Sequence, residues 1–135
     1  MSAAKAFIDT NVFVYMYSGT EPLKCKQARE IINQYDRFIS TQVINEFCNV
    51  CTRKMMMDLT IIKASVDKIA LSCVVADIGK STVYKALDIH SRYGYSYYDS
   101  LIIASALESD CKYLLSEDMA DNQVIEGCLT IKNIF

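Results

Sequence analysis

The stretch Ala6-Phe7-Ile8-Asp9-Thr10-Asn11-Val12-Phe13-Val14-Tyr15-Met16-Tyr17 holds two elements end to end. Its first three residues form a short apolar run that stops at Asp9, which reads as a strand with a carboxylate at its C-terminal end. Val12 to Tyr17 is apolar again and begins a helix, and Ser18-Gly19-Thr20 breaks it. Strand followed by helix is the unit from which α/β folds are built.

The same unit recurs along the chain. Pro22 suits the first turn of a new helix, where its missing N–H costs nothing, and Ala28, Ile31, Ile32 and Tyr35 fall on one face of that helix. Phe38-Ile39-Ser40 reads as a second strand, with Thr41 as the cap of the helix after it. Val43, Phe47, Val50 and Cys51 recur along this helix at helical spacing. Met55 to Asp58 forms a corner, and Ile62, Val66 and Ile69 mark the next helix. Cys73 to Ala76 is a strand, and Ser81 to His90 is helical, with Val83, Ala86, Leu87 and His90 at helical spacing. Tyr98 to Leu107 is apolar nearly all round, which predicts a buried helix. Tyr113-Leu114-Leu115 and Leu129 to Lys132 are the remaining strands. The alternation predicts one α/β domain over residues 1–135, with a short central parallel sheet and helices on both faces.

Composition narrows the class. A chain of 135 residues, 52% hydrophobic, has the length and apolar content for a real core. A net charge of −2 and a pI near 5.3 argue against a broad basic nucleic-acid face. Contact with nucleic acid would need a local basic patch or metal ions that bridge to phosphate. The six cysteines are scattered, no apolar run reaches the roughly 18 residues a membrane helix needs, and no signal peptide is evident. These features predict a cytoplasmic protein with reduced thiols and no membrane partner.

Four carboxylates interrupt the apolar patterning. Asp9 and Asp118 fall beyond the ends of strands, where open α/β sheets place their sites. Glu46 lies between Val43 and Val50 on an otherwise apolar stripe, and Asp99 stands at the start of the most buried helix. Each has an ordinary explanation: Asp9 and Asp99 as helix caps, Glu46 as a solvated glutamate, Asp118 as a turn residue. The joint pattern is what favours a site. Buried charge needs a partner, and no Lys or Arg adjoins Asp9, Asp99 or Asp118 in sequence. An all-oxygen donor set suits Mg²⁺ or Mn²⁺ better than zinc.

The motifs that carry these acids resemble those of PIN domains. Phe7-Ile8-Asp9-Thr10-Asn11-Val12 is similar to the family's opening motif, Val43-Ile44-Asn45-Glu46 to the second, Tyr97 to Ala106 with its small residues to the third, and Leu114-Leu115-Ser116-Glu117-Asp118 to the fourth. The order fits and the likeness spans essentially the whole chain. Within the family it most resembles the VapC-type toxins, ribonucleases restrained by an antitoxin. The resemblance implies a Mg²⁺- or Mn²⁺-dependent endoribonuclease with Asp9, Glu46, Asp99 and Asp118 in the acidic roles. It implies supporting roles for Thr10, Asn11 and Ser116, and leaves open whether Asp118 or a further acid, Asp121, is nearer the metal. RNA as substrate, a cognate antitoxin and a homodimer follow from the same resemblance.

Other signals compete. Gly79-Lys80-Ser81 opens a helix after a strand, but a phosphate-binding loop needs a glycine where Val74 stands. Cys48 and Cys51 have metal or redox spacing but sit within a helix without a second pair. Tyr93, Tyr95, Tyr97 and Tyr98 can stack bases, though core packing explains them as well. Lys80, Lys85 and Arg92 form either a phosphate-contacting edge or a solvated face. His90 reads as a partly buried helix residue. A haloacid dehalogenase-like phosphatase also begins with a strand-end aspartate, but wants a second one where Asn11 stands. A regulatory module that keeps the fold without cutting is the non-enzymatic alternative.

Overall fold

In the computed structural model, which describes residues 3–135, β1 (Lys5–Ile8) lies inside the sheet, and Ala6, Phe7 and Ile8 are fully buried. That is why the strand reads as an unbroken apolar run rather than an alternation. β1 is followed by α1 (Thr10–Ser18), α2 (Pro22–Ile32), β2 (Asp36–Ser40), α3 (Thr41–Arg53), α4 (Leu59–Ser72) and β3 (Val74–Ala76). The chain continues with α5 (Lys80–Tyr93), α6 (Tyr97–Glu108), β4 (Tyr113–Leu115), β5 (Val124–Ile125) and β6 (Leu129–Lys132).

The strand order is β3-β2-β1-β4-β6-β5. All neighbours are parallel except β5 and β6, so the sheet is mixed rather than purely parallel. The antiparallel edge is a hairpin missed by the sequence reading. Its strand is two residues long, too short for any period. Its turn bends through Glu126 and Gly127, both with positive φ (53° and 71°), a conformation that favours glycine at the second position.

From β1 the chain moves outward to β2 and β3, then returns across the sheet to add β4 on the other side. Right-handed crossovers running in opposite directions put their helices on opposite faces. The packing agrees: α1 contacts α2 and α3, α3 contacts α4, and α5 and α6 pair with each other. Every residue from Ser100 to Ala106 in α6 is buried, as its all-round apolar pattern predicts. No described helix is long and apolar enough to cross a membrane, and the six cysteines are free thiols.

Several local expectations change. Thr41 is the first residue of α3, not its cap; Ser40 holds the cap position, and the Thr41 hydroxyl accepts from the Ile78 amide at 3.4 Å. Tyr35 lies beyond α2 in the turn before β2. In α5 the inward face is Thr82, Ala86 and Ile89, so Leu87 and His90 are exposed. The expected stripe was rotated because Thr82, a polar residue, is buried: its hydroxyl accepts from the Gly79 amide at 3.2 Å and so closes the first turn.

Candidate active site

β1 and β4 are the strands at which the order reverses, and a crevice outside such strand ends is where α/β sheets bind ligands. Asp9 follows β1 directly, and Ser116 to Asp118 follow β4. The Asp9 amide donates to the Leu115 carbonyl at 3.0 Å, so both segments leave the sheet together. α3 contributes Glu46 from one side and the first turn of α6 contributes Asp99 from the other. Asp9, Glu46, Asp99 and Asp118 line a single cleft of about 140 Å³, with Thr10, Asn11 and Val50.

Each neighbour in the cleft has a definite job. Asp9 is the N-cap of α1: its Oδ1 accepts from the Thr10 amide at 2.7 Å and its Oδ2 from the Ser116 hydroxyl at 2.9 Å. Capping and membership of the cleft are therefore compatible. The Thr10 hydroxyl donates to Glu46 Oε1 at 2.9 Å, and Asn11 Nδ2 donates to Asp118 Oδ2 at 2.8 Å. Asp99 is not a cap; Ser96 caps α6 and accepts from the Asp99 amide at 3.2 Å, leaving the Asp99 carboxylate free to line the cleft. Asp121 is not among the residues lining it. Its carboxylate accepts from the Asn133 amide at 2.9 Å and from Asn122 at 3.3 Å, which ties its loop to the C-terminal segment.

The electrostatics follow from crowding. Burial pushes the Asp9 carboxyl up to about 6; the Thr10 amide and Ser116 hydroxyl oppose this, while Glu46 and Asp99 add to it. Burial and then Asp99 raise Glu46, against the Thr10 hydroxyl. Burial and then Asp118 raise Asp99, against Ser96. Like charges in one cleft hold protons more tightly. Among the described residues no ion pair neutralises the group: Lys24 bonds Glu117 at 2.5 Å instead, and Lys85 and Arg92 pair with Glu126 at 2.6 and 3.2 Å. The last two are thus held in a structural network rather than forming a free basic edge.

The donor set fits a hard divalent cation. Among the described residues no three metal-ligating side chains converge into a ready-made cage. The carboxylates instead line an open cleft, which suits Mg²⁺, an ion that keeps several waters and uses few carboxylates.

Three contributors escaped the sequence reading. Gln42 stands one helical turn before Glu46, at 3.5 Å from its Oε1, and its amide also donates to the Tyr98 carbonyl at 3.0 Å; the four-residue spacing was its only signal. Tyr15 and Lys24 hold Glu117, between Ser116 and Asp118, a pairing no spacing announces. Burial pushes Glu117 up, but these two partners outweigh it and leave the carboxyl below its ordinary range. The tyrosines divide: Tyr93 accepts from the Glu126 amide and Tyr95 from the Ala120 amide, fixing the loop after Asp118, while Tyr98 is exposed.

The PIN domain family matches residues 6–120, most of the chain and all four acids. Among solved structures, a toxin–antitoxin complex from Klebsiella pneumoniae has a TM-score of 0.74 at 15% identity, over 96% of this chain and 98% of that one. VapC20 of Mycobacterium tuberculosis, a toxin that cleaves the sarcin–ricin loop, has 0.67 at 14%, over 81% and 86%. VapBC2 of Rickettsia felis, bound to a DNA fragment from its promoter, has 0.64 at 14%, over 84% and 88%. At such identities the likeness is one of fold. No curated protein sequence matches the chain.

Proposed function

The chain belongs to the PIN-domain family, and from that premise we propose that it is a metal-dependent endoribonuclease, the toxin of a toxin–antitoxin pair. The carrying observation is that four carboxylates from four separate segments line one cleft beyond the β1 and β4 strand ends. Asn11, which occupies the place a phosphatase of the haloacid dehalogenase type would give to its second aspartate, serves here to hold Asp118.

Asp9, Asp99, Asp118 and Glu46 would hold Mg²⁺ or Mn²⁺. When bound, such an ion makes a water more acidic and offsets charge that builds on the phosphate. The protein's own part is positioning. Ser116 and the Thr10 amide fix both oxygens of Asp9, the Thr10 hydroxyl aims Glu46, and Asn11 aims Asp118. Without a cation, burial holds the Asp9 carboxyl up at about 6, and a bound cation would favour its charged form. Asp121 takes no metal role in this reading; it anchors its loop. A homodimer, a cognate antitoxin and a cytoplasmic location complete the proposal, supported by the fold shared with toxin–antitoxin complexes.

The test is sequencing of RNA ends after expression of the wild type and of Asp9→Asn. New ends that accumulate with the wild type and not with the variant support the reading. Identical end profiles from both overturn it.

A further inference from the structure

A second, larger depression of about 460 Å³ adjoins the acidic cleft, and Glu46 is part of both. Asn45 and Asn49 stand four residues apart on α3, so both exposed amides project along one wall. Tyr98 and Leu101 from α6 and Ile78 from the loop before α5 line it as well. Tyr98 is 65% exposed, and its ring is braced edge-on by Tyr97 at a centroid distance of 5.4 Å. Gln42 couples α3 to α6, since its amide donates to the Tyr98 carbonyl and approaches Glu46. Its Oε1, buried at this wall, accepts no hydrogen bond from the described residues.

The lining chemistry selects the ligand. Glu46 is the single charged residue of the lining, so a phosphate would be repelled there. A flat neutral group with hydrogen-bonding edges fits: an aromatic face to stack on, and amides that pair with base edges. A third depression, of about 340 Å³, borders both others through Asn49 and Val50 and carries Arg53 and Lys54, cations suited to a backbone phosphate. We propose that the Tyr98–Asn45–Asn49 pocket takes one unpaired nucleobase of RNA beside the phosphate held at the acidic cleft, with a neighbouring phosphate on Arg53 and Lys54. The inference rests on the nuclease reading and adds to it a single-stranded substrate read at one base.

Binding and cutting are measured separately on the full-length protein. In Ca²⁺, a short single-stranded 2′-O-methyl oligonucleotide is titrated and the side-chain amides of Asn45 and Asn49 are followed by NMR. Both should shift. Tyr98→Ala should weaken binding roughly tenfold or more, while Tyr98→Phe, which keeps the stacking face, should bind like the wild type. Cleavage of a randomised RNA library in Mg²⁺ should show a base preference at one position near the cut, flattened in an Asn45→Ala, Asn49→Ala double variant. Wild-type binding by Tyr98→Ala, or oligonucleotide binding that leaves both amides unmoved, overturns the pocket, including the case in which a partner peptide occupies it. Binding as described by a wild type that cuts no RNA sinks the nuclease reading and leaves the base pocket standing. Cutting with an unchanged base preference in the double variant does the reverse.

Discussion

Ser116, fully buried at the end of β4, donates its hydroxyl to Oδ2 of Asp9 at the end of β1, at 2.9 Å. The bond joins two neighbouring parallel strands at the most crowded carboxylate of the cleft. It favours the charged form of Asp9 and so works against burial. Ser116→Ala should therefore move the Asp9 carboxyl further up. The acid limb of the pH–rate profile should shift to higher pH, with a loss in kcat/KM of about tenfold on that limb and about twofold at neutral pH. An unchanged acid limb would show that Ser116 does not tune Asp9.

Stability of the metal-free protein should carry the opposite signature to ordinary acid denaturation. The Asp9 carboxyl is raised from 3.8 to about 6 in the folded state, so the native form holds the proton more tightly than the unfolded chain. Its contribution is fully present below about pH 4 and is lost as pH rises through 6, on the order of 2 kcal/mol. Urea unfolding of wild type and Asp9→Asn in chelator, across pH 4 to 7, isolates this part. The wild type should lose stability relative to the variant as pH rises. A constant difference between them would contradict it.

Asp99 faces the same crowding, raised by burial and by Asp118. Asp99→Asn should stabilise the metal-free protein by about 1 kcal/mol, a modest gain because the cleft is open and solvent screens the charges. Millimolar Mg²⁺ or Mn²⁺ should stabilise the wild type by mass action and the variant much less. Thermal unfolding with chelator and with metal measures both. A variant that melts lower than wild type in chelator, with equal metal shifts, would show that these carboxylates are not a shared metal site.

Tyr95 reaches from the segment before α6 to the loop after Asp118, where its hydroxyl accepts from the Ala120 amide at 3.2 Å and donates to Gln123. Tyr95→Phe removes both contacts and should cost about 1–2 kcal/mol. Amide exchange should speed up at Ala120, whose N–H loses its partner. Unchanged protection at that amide would remove Tyr95 from any part in holding the loop.

The elements legible in the sequence were those whose pattern is local. Ala6 to Ile8 and Tyr113 to Leu115 announce buried strands, and the apolar run in α6 announces a buried helix, because burial on every side leaves no polar position. The acids stood out for the same reason, as breaks in apolar patterning. What stayed hidden depends on distant partners. The β5–β6 hairpin has too few residues for a period, and Lys24 meets Glu117 across a sequence separation of 93 positions. Asp121 looked like its neighbour Asp118 in the string, yet its partner is the Asn133 amide of the C-terminal segment. His90 matched a helical stripe that the buried Thr82 hydroxyl turned aside.

Metal-dependent cutting at these carboxylates is tested most directly by the single-turnover cleavage rate of purified protein on a single-stranded RNA, with Mg²⁺ or Mn²⁺, for wild type, Asp9→Asn and Asp99→Asn. Circular dichroism shows whether each variant is folded. The wild type should cleave in a metal-dependent way that chelator abolishes, and each folded variant should fall by at least about a hundredfold, the scale of losing one positioned catalytic group. Cleavage by folded Asp9→Asn at the wild-type rate, or wild-type cleavage that persists in chelator, would contradict metal-dependent cutting at these carboxylates.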